Sequence, residues 1–353
     1  MAIYYFDCQI ISRGSGRSAV AAAAYRAGER ITNEYDGVTH DYTHKSKVAY
    51  SEILLPENAP RDFLNRSTLW NSVEDIEKSI DAQLAREIVV ALPSELSLDQ
   101  QILLARKYVQ ETYVSQGMCA DIAIHTPEHA STATGEIVSN PHMHCMLTIR
   151  PLDKDGQWEP KAVKAYLCAK DGEKDRAFTS AEYPEAVKNG WQKQYQYRKN
   201  GKKVWLTPEK AEEQGLERLG RNPRSKKITN PTLELWNSKA SLQSWRKGWA
   251  DAVNTALEAA GYNASVDHRS YEEQGLLQVG TIHEGATATA LEREGIRTDR
   301  GDINRVIREG NQRISLHLEN AERYQRDLQK LVGGEYITLP YTTGMQTQGL
   351  RMS

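Results

Sequence analysis

Cysteine is scarce in this chain, long apolar runs are missing, and neither sign of charge predominates. Each absence removes a class of protein. The four cysteines, Cys8, Cys119, Cys145 and Cys168, stand far apart with no Cys-x-x-Cys pair among 353 residues, which excludes a disulfide framework and a zinc ribbon. No apolar run approaches the roughly 18 residues needed to span a bilayer. A mean hydropathy of −0.65 with 26 % charged residues agrees. The start, MAIYYFDCQII, has neither the basic region nor the small-residue cleavage site of a secretory signal, so a cytoplasmic location is expected. Repeats of fixed period and a P-loop are also missing. With 45 Lys+Arg against 47 Asp+Glu the net charge is −2, which taken whole speaks against a nucleic-acid partner. What remains is a chain long enough to bury a core unaided, with about two domains or one large domain and an extension.

The charge is unevenly spread. Between Lys188 and Asn230 twelve basic residues face four acidic ones, a surplus of eight positive charges; against a chain total of −2 the remainder carries −10. Trp191, Tyr195, Tyr197 and Trp205 interleave with these cations. Aromatics among cations suit a single strand of nucleic acid, which offers phosphates and unstacked bases together. A solvated, lysine-rich insertion has the same composition, and both readings stand at this point.

Short apolar or alternating runs predict strands at Ala2–Ile11, Glu87–Leu92, Cys119–His125 and His142–Arg150. Ser97-Leu-Asp-Gln100 is a capping box that opens a helix towards Gln116, with Gly117 as its stop. Leu242, Trp245, Trp249, Val253 and Leu257 recur at helical spacing, and Gly261 ends that stretch. Asp302 to about Leu331 reads as a long charged helix closed by Gly333-Gly334. Strands and helices do not alternate in regular units, which favours an α+β fold with an antiparallel sheet.

The chemistry concentrates at Asn140-Pro141-His142-Met143-His144. Side chains alternate along a strand, so His142 and His144 share a face and can ligate one divalent ion. Antiparallel pairing across the Thr126–Pro141 connection would bring His125 beside them, with His129 as the rival third ligand. Three histidines leave coordination positions open, as a catalytic metal requires; a pair of surface histidines is the plainer alternative. Cys145 alternates to the opposite face and reads as core.

Near the N-terminus, Ser12-Arg-Gly-Ser-Gly-Arg-Ser18 is a basic glycine-rich loop, and Ser18 is a good N-cap for a helix over Ala19–Ala27 that ends at Gly28. This helix of alanines presents one large side chain, Tyr25. A phenol can attack phosphorus, with Arg13, Arg17, Arg26 and Arg30 at hand for phosphate oxygens; an ordinary core tyrosine is the alternative. Glu87, at the polar entry of its strand, can orient a metal-binding histidine, accept the tyrosine proton, or pair with Arg86.

These signals, in this order, resemble the MobA/MobL family of plasmid conjugative relaxases, the MobQ type, including the N-terminal portion of TraA-like proteins. The resemblance covers about residues 1–310. It rests on MAIYYFDCQIISRGSGRSAVAAAAYRAGERI, Tyr50-Ser-Glu-Ile-Leu-Leu-Pro56, Leu69-Trp-Asn-Ser-Val-Glu-Asp-Ile-Glu77, Ala85-Arg-Glu-Ile-Val-Val-Ala-Leu-Pro93, Asn140-Pro-His-Met-His144, Trp245-Arg-Lys-Gly-Trp-Ala250 and Val266-Asp-His-Arg-Ser270. It implies an HUH endonuclease: a relaxase domain over 1–310 with a central antiparallel sheet flanked by helices, then a charged helical extension over 311–353. It further implies that Tyr25 attacks the scissile phosphate at the nic site of the origin of transfer, leaving a 5′-phosphotyrosyl link and a free 3′-hydroxyl. His142, His144 and His125 would hold the metal, Mg²⁺ or Mn²⁺, with Glu87 as base or orienting partner. Arg13, Arg17, Arg26, Lys199, Lys202, Lys203, Arg224, Lys226 and Lys227 would hold DNA, the last six from a clamping insertion at about 188–230. Expected partners are single-stranded or supercoiled origin DNA, relaxosome auxiliary proteins and a type IV secretion coupling protein.

Two departures stand out. Relatives commonly carry a proline before the histidine that follows the Asp-His-Arg-Ser motif, where this chain reads Leu277-Gln-Val-Gly-Thr-Ile-His283; His268 and His283 are therefore structural candidates. TraA-like relatives continue into a helicase portion, so a stand-alone mobilisation protein and the relaxase portion of a longer one are both open. The rival readings are a rolling-circle replication initiator, a non-catalytic metal-containing single-strand-binding module, and a small-molecule metallohydrolase.

Overall fold

Capping signals and strand alternation account for the first elements of the chain. The computed structural model describes residues 3–130, 137–282 and 284–331. The order is β1 (Phe6–Ser12), α1 (Ala19–Ala27), β2 (Arg30–Thr32), β3 (Thr39–Asp41), β4 (Val48–Leu54), α2 (Arg66–Ile76), β5 (Gln83–Ala91), α3 (Leu98–Thr112), β6 (Ala120–His125), β7 (Glu128–Ala130), β8 (Ile137–Ser139) and β9 (His142–Thr148). There follow β10 (Ala162–Ala169), β11 (Arg176–Thr179), α4 (Tyr183–Lys188), β12 (Gln192–Lys193), β13 (Tyr195–Lys199), β14 (Lys202–Leu206), α5 (Pro208–Glu213), β15 (Ser225–Thr229), α6 (Pro231–Trp236), α7 (Lys239–Ala259), α8 (Ala286–Arg293) and α9 (Asp299–Leu331). His283, Gly333-Gly334 and the side chain of His129 lie outside the described residues.

The chain divides into two compact units, Met1–Glu128 with Ser139–Val266, and His129–Val138 with Asp267–Ser353. The expected division after residue 310 falls inside α9; the units part between Val266 and Asp267.

In the first unit five antiparallel strands form a sheet in the order β1-β5-β9-β6-β4. This is the α+β architecture with an antiparallel sheet, and the histidine-bearing β9 is its central strand. Alternation sorts the residues of each strand between two cores. Ile88, Val90, Ile122, Ile124, Met143, Cys145 and Leu147 point to one side, where α3 and α7 bring Tyr108, Trp245 and Trp249. Ile11, Ala85, Ile53 and Met146 point to the other, where α1 and α2 bring Val20, Leu69, Trp70 and Val73. Truncating a buried tryptophan such as Trp70 or Trp249 is the kind of change that costs about 3–5 kcal/mol.

The helix ends follow their side chains. Ser18 Oγ accepts from Ala21 N at the start of α1, and Gly28 closes it in the left-handed region at φ 69°. A side chain at Gly28 would meet Val48 at 3.3 Å and the carbonyls of Tyr42 and Lys45 at 3.7 Å. Glycine thus lets the loop before β4 come back against the C-terminal end of α1. The Ser97–Gln100 capping box is present at α3. That helix stops at Thr112 and tightens to a 3₁₀ turn over Val114–Gln116, short of the continuous helix expected. The first strand begins at Phe6, so Tyr4 and Tyr5 precede it.

Part of the insertion joins the preceding strands in a small layer of its own. Strands β11, β10 and β12 pair in that order, with β15 on β10, around Cys168, Ala186 and Trp191. β13 and β14 form a two-stranded ribbon turning at Asn200-Gly201. In the second unit, Glu292 of α8 accepts from Arg305 of α9, and Asn304 and Asn311 hold the backbone at Ile282 and Val279. No helix among the described residues is long and apolar enough to cross a membrane.

Candidate active site

Sheet register builds the histidine cluster. His125 on β6 pairs with His142 on β9, and Ala123 pairs with His144. Opposite residues of antiparallel strands share a face, so the three imidazoles project together. Ala123 leaves room beside His144. Their ring centroids lie 4.8 to 5.4 Å apart, and one nitrogen from each falls within 4.8 Å of the others.

Hydrogen bonds fix which nitrogens are free. His142 Nδ1 meets the Asn140 carbonyl at 2.9 Å, His144 Nδ1 meets Glu87 Oε1 at 2.9 Å, and His125 Nε2 meets the Arg26 carbonyl at 2.7 Å. Carbonyl and carboxylate oxygens only accept, so the ring nitrogen carries the proton in each pair. Nε2 of His142, Nε2 of His144 and Nδ1 of His125 therefore keep lone pairs. Burial holds His125 down to about 3 and lowers His142 and His144 below the ordinary histidine value. Neutral imidazoles are the form that binds metal. Three such donors with three outer hydrogen bonds fit a divalent ion with open positions.

Glu87 is buried on the same face. On β5 it stands diagonally across from His144, since Val89 pairs with His144 and Glu87 with Met146. Besides His144 it binds Arg26, and it binds Arg17 at 3.0 Å. Burial pushes its carboxyl up, but the His144 N–H and the Arg26 charge outweigh that and hold it at about 2. Both oxygens are engaged.

Tyr25 sits in the last turns of α1. Ala19, Val20, Ala22, Ala23 and Ala24 are buried, so the helix packs closely on its neighbours. Tyr25 itself is 48 % exposed. Tyr42 meets its ring edge-on at 5.2 Å and 87°. Lys45, in the loop before β4, places Nζ 3.7 Å from the Tyr25 ring centroid, 3.0 Å from the Tyr25 carbonyl and 3.5 Å from His125 Nε2. Burial, then the nearby Arg26, lowers the Lys45 ammonium to about 8. Tyrosine and histidines thus meet through the Arg26 carbonyl; with the proton on His125 Nε2, Lys45 lies beside that ring without a hydrogen bond to it.

Of the expected residues, Tyr25, Glu87, His125, His142, His144, Arg17 and Arg26 come together. Arg13 does not: its guanidinium is held by Glu74 at 2.7 Å and by the carbonyls of Glu77 and Ser79, under the Tyr35 ring. Glu74 also accepts from Ala19 N and Ser18 Oγ, so this pair anchors the start of α1. Lys199, Lys202 and Lys203 cluster at the ribbon tip, exposed, beside Arg198. Lys226 and Lys227 lie on β15, and Arg224 is tied to Gln194 and Asp175. His268 sits 3.6 Å from Asp267 in the second unit. Lys45 and Tyr42 escaped the sequence reading; Gly28, which folds their loop back, was the one local sign.

The sequence profile of the MobA/MobL family matches residues 17–294. The probable mobilization protein MobA of Bifidobacterium longum (strain NCC 2705) is 34 % identical over 312 residues, 88 % of this chain and 48 % of that protein. The conjugal transfer protein TraA of Rhizobium radiobacter is 32 % identical over 354 positions, 97 % of this chain and 26 % of that protein. The chain therefore spans about half the length of the first relative and a quarter of the second. A solved structure described as the molecular basis of vancomycin resistance transfer in Staphylococcus aureus is similar at a TM-score of 0.51. It is 27 % identical, over 76 % of this chain and 100 % of that one.

Proposed function

Because this chain belongs to the MobA/MobL family, we propose that it is a relaxase, nicking one DNA strand at the nic site of an origin of transfer and resealing it after transfer. The observation that carries this reading is the meeting of an exposed tyrosine with three neutral histidines through the Arg26 carbonyl, with Lys45 beside both. The Tyr25 oxygen bonds to phosphorus as the bond from phosphorus to the 3′ oxygen breaks. The phenol proton ends on the released 3′-hydroxyl, and the phosphodiester energy is kept in the tyrosyl link. His125, His142 and His144 would hold a divalent ion, Mg²⁺ or Mn²⁺, which would supply Lewis-acid polarisation of the phosphate.

Glu87 orients His144 and neutralises Arg26. Its low affinity for a proton and its occupied oxygens argue for that role over the base. Arg17, 35 % exposed at its side chain, is the arginine at the site best placed to touch a phosphate oxygen while keeping Glu87. The basic ribbon and β15 would hold the DNA strand by its phosphates, and relaxosome proteins, a secretion coupling protein and the cytoplasm complete the setting.

The test is covalent chemistry. Labelled single strands tiling both strands of the DNA beside this gene are incubated with the protein and Mn²⁺, then denatured. One strand is expected to give a denaturant-resistant adduct. His142→Ala should lower its yield by more than about 100-fold while much of the DNA affinity survives, because phosphate contacts carry that affinity. No adduct with any strand or metal would favour a non-catalytic binding module.

A further inference from the structure

Half of the Tyr25 side chain is open to solvent, so packing alone does not fix the direction of its ring. Tyr42 meets it with the two rings perpendicular, centroids 5.2 Å apart. The face is covered by Lys45, whose three donors and lack of any acceptor leave it able to grip a carbonyl and lie against a π face at once. It does both on one residue, with the Tyr25 carbonyl at 3.0 Å and the ring centroid at 3.7 Å. The Lys45 backbone is itself held, its N–H donating to the Tyr42 carbonyl at 2.9 Å. The other cations near this turn have carboxylate partners: Arg17 and Arg26 pair with Glu87, and Arg30 lies 3.9 Å from Asp41. Among the described residues Lys45 contacts Tyr25 and His125 and no carboxylate.

We propose that Lys45 is a positioning residue for Tyr25, fixing the ring against the end of α1 and keeping a positive charge beside the phenol as its oxygen attacks phosphorus. The inference rests on the relaxase reading above. In the forward step the phenol oxygen gains the phosphorus bond and gives up its proton; in resealing the same oxygen leaves and regains it. A charge over the ring serves both directions, because negative charge on the oxygen spreads into the ring each time.

The experiment uses the tiled strand that gives an adduct with the unmodified protein. Lys45→Met should slow adduct formation at saturating DNA by about 100-fold, the cost of a small misplacement of a reacting group. The strand's Kd should stay within about threefold, a loss confined to the rate. Lys45→Arg, which keeps the charge, should recover to within about tenfold of the unmodified rate. Resealing should slow in proportion. Fluorine NMR of a fluorotyrosine at position 25 reads placement without DNA: the resonance should move in Lys45→Met and stay in place in Lys47→Met. An unmoved resonance, a Lys45→Met rate within about threefold of normal, or Lys45→Arg as slow as Lys45→Met overturns the proposal. No adduct from the unmodified protein sinks the relaxase reading itself, and Lys45 with it.

Discussion

Around α1, α2 and the sheet, arginines face carboxylates: Arg13 meets Glu74, Arg26 meets Glu87, Arg66 meets Asp121 and Arg150 meets Glu77. In the β13–β14 ribbon, cations face cations. Arg198 pairs in register with Lys203 and Lys199 with Lys202, all four exposed and without an ion pair among the described residues. Charges that build the region around the sheet are balanced internally, because a buried charge without a partner is costly. Charges on the ribbon are left over, and like charges directly opposite weaken a strand pair. That surplus is what the proposed DNA-holding role of the ribbon would use. The near-zero net charge of the chain conceals this division.

The division can be broken from either side. The largest effect is expected inside the balanced region. Asp121 accepts two hydrogen bonds from Arg66 and one from the Trp70 indole. Asp121→Ala should cost about 3–5 kcal/mol of stability, read by denaturant unfolding, because it removes two hydrogen bonds from a buried guanidinium, leaving it only the half-exposed Glu29, and one from the Trp70 indole. A cost under about 1 kcal/mol would mean that these pairs do not hold the fold.

Next comes the ribbon. Replacing Arg198, Lys199, Lys202 and Lys203 together by glutamine should flatten the log–log salt dependence of single-strand binding by up to about three units. Stability should stay within about 0.5 kcal/mol, as for surface changes generally. An unchanged slope would make the ribbon a solvated insertion. The smallest effect has the opposite sign. Lys203→Glu sets an acid opposite Arg198, and should stabilise the free protein by about 0.2–1 kcal/mol while weakening DNA binding.

The histidine cluster was legible in the sequence because strand alternation has a period of two. That period puts His142 and His144 on one face and Cys145 on the other, and one antiparallel pairing brings in His125. The α1 boundaries were legible from Ser18 and Gly28. What local patterns could not show were partners far apart in sequence. Arg13 and Arg26 look alike in a basic loop and a helix, yet Arg13 turns to Glu74 of α2 and Arg26 to Glu87 of β5. Lys45 sits in a loop without periodicity, and its role comes from contacts to residues 20 and 80 positions away. The layer around Trp191 was hidden because β11, β12 and β15 are only two to five residues long and reach their partner β10 across intervening loops and helices.

The central claim is that Tyr25 carries the DNA. Protease digestion of the adduct followed by mass spectrometry of the nucleotide-bearing peptide tests it directly. The mass of the 5′-phosphorylated strand is expected on the peptide containing Tyr25, and Tyr25→Phe should give none. An adduct mapped to another residue, or one that persists in Tyr25→Phe, would contradict the account.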